Sequence, residues 1–133
     1  MENEIMTAER ITAPVITARI LGEDRELRFD NRACMMAESY WREITGRRVS
    51  YFFILGELES RTMGGICAVV YGAMASAIMH ANRRRQKLLP VPGAQAFEEG
   101  VSVGEVLALY DPVIAAVRET LPKEPKNGDG GGE

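Results

Sequence analysis

Between Val15 and Ile20 the side chains alternate, with Ile16, Ala18 and Ile20 on one side and Val15, Thr17 and Arg19 on the other. That period of two is the pattern of a half-buried strand. Leu21 to Arg25 is polar with a glycine, as a hairpin loop requires. Alternation resumes at Glu26, placing Leu27 and Phe29 inward and Glu26 and Arg28 outward. Pro14 suits the start of a strand, where no ladder donor is needed. The first element predicted is therefore a β-hairpin.

The period then changes. Ala33, Met36, Ala37, Tyr40, Trp41 and Ile44 recur at helical spacing, which predicts one apolar stripe facing a core. Asp30 offers a capping oxygen and Gly46 a left-handed stop. Val49 to Leu58 is short and aromatic-rich, and is read as a helix capped by Ser50, with a buried strand as the alternative. From Thr62 to Asn82 there are 21 residues without Lys, Arg, Asp or Glu. That length would suit a membrane span, and Arg83, Arg84 and Arg85 follow on one side. The run has no Leu or Phe and is diluted by Gly64, Gly65, Gly72, Ser76 and His80, so a buried core helix is the preferred reading.

Arg83 to Gly100 reads as a connector broken by Pro90, Pro92 and Gly93. Ser102 and Glu105 then form an S-x-x-E capping box, with Val101 and Val106 at the positions of a hydrophobic staple. A stripe runs on through Tyr110, Val113 and Val117, and Asp111-Pro112 predicts one kinked helix or two abutting ones. The expected fold is thus α+β and mainly α, an N-terminal hairpin followed by about four helices in a small bundle. A single domain is expected over residues 11–121, with residues 1–10 flexible and residues 122–133, a Gly-rich run, disordered.

Composition narrows the function. The chain has 133 residues and a net charge of -3, and its pI near 5.3 disfavours a nucleic-acid partner. Cys34 and Cys67 have no metal-type spacing, and His80 is the single histidine, so no metal or cofactor site is expected. His80 lacks any motif supplying a nucleophile, and Glu38, Glu43, Glu57 and Glu59 read as solvated helix faces. No catalytic residue is assigned.

Small residues line the uncharged helix at i, i+4 spacing: Gly64, Ala68, Gly72 and Ser76. Each interior glycine costs about 1 kcal/mol relative to alanine, so a close helix contact is implied. The contact would be internal packing against the helices at 30–45 and 102–121, or a self-association face. Methionines at 35, 36, 63, 74 and 79 suit core filling, and also surfaces that repack against different partners.

The order of elements resembles a known family. The hairpin ends in ELRFDNRACMMAESYWREITGR, a short aromatic helix follows, then a small-residue helix ending in AIMHAN, then VSVGEVLALYDPVIAAVRETL. This is similar to the tail assembly chaperones of long-tailed bacteriophages, prophages and gene transfer agents, over roughly residues 11–121. Phe29, Asp30, Ala33, Glu38, Gly46 and Arg47 carry the match. The resemblance implies a non-enzymatic, cytoplasmic protein that binds the tape measure protein, with tail-tube subunits as further partners, and that self-associates weakly. Members of that family often make a second, longer product by ribosomal frameshifting. The PVPGAQAFEEG connector is longer than the family pattern. The expected partner contacts are Met63, Ile66, Val70 and Met74, with Arg83, Arg84 and Arg85 as an electrostatic rim. The alternatives are a small single-span membrane protein using residues 62–82, or a helical regulatory or accessory subunit.

Overall fold

The computed structural model describes residues 13–84 and 88–122. Two antiparallel strands, β1 (Val15–Ile20) and β2 (Glu23–Arg28), open the fold in a register that runs from Val15 opposite Arg28 to Ile20 opposite Glu23. The predicted five-residue loop is only two residues long, because Glu23, Asp24 and Arg25 pair onto β1. Leu21 and Gly22 make the turn with φ of 55° and 80°. Positive φ at both positions matches the right-handed twist of the strands. Ile20 and Leu27 are fully buried beneath the sheet.

Helix α1 (Asn31–Thr45) follows at once. Asp30 Oδ1 accepts from the Ala33 amide at 3.0 Å, and Gly46, at φ 79°, ends the helix by donating to the Arg42 carbonyl. Helix α2 (Tyr51–Glu59) is capped by Ser50, whose hydroxyl accepts from the Phe53 amide. The helical alternative for this segment is thus the one adopted.

Helix α3 (Met63–Asn82) runs through the centre, and twelve of its residues are buried. By length and composition it could cross a membrane, with a mean hydropathy of 1.5 over its most apolar 18 residues, but 67% of that stretch is buried within the molecule. Its glycines explain how the cover fits. A Cβ on Gly72 would stand 2.3 Å from the Ala33 carbonyl oxygen and 2.9 Å from the Ala37 nitrogen of α1. A Cβ on Gly65 would stand 2.5 Å from the Leu58 nitrogen of α2. Gly72 therefore packs internally against α1, as expected, and Gly65 against α2, while α3 also touches the C-terminal helices.

The 83–100 connector contains a helix that periodicity did not predict, α4 (Ala94–Gly100). Phe97, fully buried, holds it in place by meeting Tyr40 and Tyr71 edge-on at 5.8 and 5.4 Å between centroids. The Tyr71 hydroxyl donates to the Pro92 carbonyl at 2.8 Å. The capping box on α5 (Val103–Leu107) forms in full. Helix α6 (Tyr110–Thr120) abuts it. The break falls at Ala108–Leu109, ahead of the proline, because Pro112 occupies the first turn of α6, where a missing N–H costs nothing. Among the described residues the hairpin is thus followed by six helices, two more than expected, in the expected α+β, mainly helical class. The predicted flexible and disordered ends lie outside the described residues, apart from Pro122.

Candidate docking groove

An open groove of about 300 Å³ lies between the first turns of α3 and the second half of α1. Trp41 and Ile44 form one wall, Met63 and Cys67 the other, and Val103 and Val106 close one end. The lining is largely apolar. Met63 is 44% exposed and Val103 63% exposed, so the rim itself is hydrophobic. Leu107, one turn beyond Val103 on α5, is exposed as well. Apolar surface also continues outward from Trp41 to Phe53, whose rings meet edge-on at 5.6 Å.

Local structure sets these side chains. Tyr110 donates its hydroxyl to the Arg61 carbonyl at 3.0 Å and lies 3.8 Å from the Met63 sulfur, which fixes the start of α3. Arg61 is itself paired with Asp111 at 2.7 Å. Gly64 lies in the groove, and a Cβ there would meet only the Trp41 ring, at 3.4 Å. Unlike Gly65 and Gly72, this glycine is not demanded by packing against backbone, and it keeps the groove deep.

Of the residues expected to contact a partner, Met63 stands on the groove. Ile66, Val70 and Met74 do not: they are at most 1% exposed and belong to the core. The correction has a simple cause. Neighbours surround most of α3, so a helix apolar on every side gives no sign of which face is open. Arg83 and Arg84 are exposed, but they sit some 20 residues beyond Met63 along α3, about 30 Å at 1.5 Å per residue. They cannot rim this groove. Arg85 lies outside the described residues.

The charge that does border the groove is acidic and was not anticipated. Glu98 of α4 lines it, and also lines an adjoining polar recess of about 260 Å³ with Glu43 and Gln95. Burial, followed by the charge of Glu98, pushes the Cys67 thiol up to about 11, so it is a neutral group in the groove wall. Tyr40 is also held protonated, chiefly by burial.

Elsewhere the polar groups serve the fold. Glu38 accepts from the Tyr51 amide at 2.7 Å, and Glu59 pairs with Arg118. His80 is held below its usual range by desolvation and then by Arg28, Arg84 and Arg83. Both cysteines are free thiols. Among the described residues no group of His, Cys, Asp and Glu is arranged to hold a metal ion.

The described residues thus form a small α+β domain with an apolar surface groove and an acidic border. Compared with protein-family models, curated proteins and solved structures, the chain matches none of them.

Proposed function

We propose that this protein is a non-enzymatic tail assembly chaperone, acting in the bacterial cytoplasm, that binds the tape measure protein and keeps it soluble during tail-tube assembly. The observation that carries this reading is the hydrophobic groove between α1 and α3 with its exposed rim of Met63 and Val103. An apolar groove of this kind receives the apolar face of an amphipathic helix. The order of elements, a hairpin feeding a capped helix and a central small-residue helix, supports the family resemblance. Tail-tube subunits are secondary partners, and weak self-association through the same face occurs when no client is bound. The single-span alternative is disfavoured because α3 would have to give up its packing against α1, α2 and the hairpin.

The test is co-expression of the full chain with a candidate tape measure protein, followed by pull-down and size exclusion. The tape measure protein is expected to be recovered in solution, and to co-elute, only with this chain. A Val103→Asp variant, altered at an exposed position, is expected to lose that effect while remaining folded. A chain that elutes alone in every fraction overturns the reading and leaves an accessory or regulatory subunit as the better account.

A further inference from the structure

We propose that the groove selects amphipathic helices whose apolar face is flanked by lysine or arginine, with Glu43 and Glu98 receiving the cation. The inference rests on the groove being the client site and adds what the client must carry.

The argument starts from the placement of two carboxylates. Glu98 stands where the apolar groove meets the polar recess, and Glu43 stands within the recess, with Ile44 shared between the two. Both glutamates are exposed. Among the described residues neither has a cationic partner within 4 Å, whereas the other surface pairs, Arg61 with Asp111 and Arg118 with Glu59, are made. No arginine or lysine among the described residues lines the groove or the recess. The remaining titratable groups of the wall, Tyr40 and Cys67, are neutral at pH 7. The charged side chains that line the groove and the recess are therefore acidic, beside a groove that is otherwise hydrophobic.

A helix lying with its apolar face in the groove would bring its flanking positions over the recess. A lysine or arginine there can lay its aliphatic stem along Ile44 and keep its charged head by the carboxylates. A glutamate in the same place meets two like charges. Such complementarity acts on specificity and encounter rate more than on gross affinity, so the apolar contact supplies binding and the acidic border discriminates.

Trp41, the single tryptophan of the chain, lines the groove and reports its occupancy by fluorescence. The probes are two synthetic helical peptides with the same Leu/Ala apolar face, one flanked by lysines and one by glutamates, titrated into the full chain. The lysine peptide is expected to bind about two- to fivefold tighter, the size of one exposed ion pair. The gap should shrink in high salt. In the Glu43→Gln/Glu98→Gln double variant both peptides should bind with similar affinity.

Equal affinities for the two peptides in the unaltered chain overturn the proposal, as does a preference that survives in the double variant. No Trp41 response to either peptide overturns it too, and self-association that neither peptide competes away would assign the groove to a second copy. Recovery of the tape measure protein without peptide discrimination refutes the charge selection alone. Discrimination without tape measure recovery removes that client and leaves the selection standing.

Discussion

Ser76, buried in the middle of α3, donates its hydroxyl to Asp30 Oδ1 at 2.6 Å. The same carboxylate caps α1 through Ala33 and accepts from Arg28 Nε at 3.0 Å on its other oxygen. One side chain thereby joins the end of β2, the start of α1 and the central helix. Burial opposes ionisation of Asp30, but the bonds from Ser76, Ala33 and Arg28 outweigh it and hold its pKa below the ordinary 3.8. Its tie is therefore fully present above pH 3.8 and is lost as pH falls through the lower folded-state value. Ser76→Ala is expected to cost about 2 kcal/mol in urea unfolding at neutral pH, the scale of a hydrogen bond to a charged group. It should also weaken the acid dependence of the unfolding midpoint below pH 4, because the native preference for the charged carboxylate is reduced.

Two glycines of α3 should respond in opposite directions. At Gly72 an added methyl meets the α1 backbone at 2.3 Å, which neither helix can relieve without separating. Gly72→Ala is expected to destabilise by about 3 kcal/mol, at the upper end of overpacking effects. At Gly64 the added carbon meets only the edge of Trp41. Gly64→Ala, in the first turn of the helix, should gain about 0.5 kcal/mol through backbone entropy and raise Tm by about 2 °C. The same change narrows the groove, so peptide affinity should fall as stability rises. Thermal unfolding and Trp41 titration of the two variants check both statements.

Glu105 has a second role besides its capping box. Its carboxylate accepts from the Gly22 amide at 2.9 Å and the Leu21 amide at 3.1 Å, so the hairpin turn is held from the far end of the chain. Leu21, a non-glycine residue at positive φ, depends on that support. The Gly22 bond is the foremost cause of a Glu105 pKa below its ordinary 4.5. Glu105→Ala is expected to cost about 1–2 kcal/mol. It should speed hydrogen exchange at the Leu21 and Gly22 amides while the β1–β2 ladder amides change less.

The thiols provide a chemical check on the groove. With its pKa pushed up to about 11, Cys67 has almost no thiolate at pH 7. Cys34 is shifted in the same direction, chiefly by burial. Cys67 should react with a thiol reagent far more slowly than free cysteine at neutral pH, and Cys34 more slowly as well. Because Cys67 lines the groove and Cys34 does not, the lysine-flanked peptide should slow Cys67 further and leave Cys34 unchanged. Mass-spectrometric mapping of the labelled sites separates the two.

The parts of the fold that the sequence announces are those whose signals are local. Alternation in VITARI, Asp30 and Gly46 at the ends of α1, and the box of Ser102 and Glu105 each act within a few residues, and each forms. Helix α4 was missed because it is one short segment between breakers. What stabilises it is Phe97 packed between Tyr40 and Tyr71, residues distant along the chain. The groove was only partly legible for a related reason. Met63 could be singled out as an apolar residue, but Ile66, Val70 and Met74 look no different until their neighbours are known. The acidic border could not be read at all, since Glu43 and Glu98 belong to separate elements that tertiary packing alone brings to one recess.

The placement of α3 also bears on how the chain emerges during synthesis. Its tightest contacts are with α1 and α2, and the hairpin lies against it too, and all of these precede it. When the uncharged segment leaves the ribosome, the surfaces that will cover it have already been made. Cover can form at the pace of translation, with only the flank met by α4, α5 and α6 waiting for later residues. A longest apolar stretch placed first in the chain would have had to wait for nearly everything else.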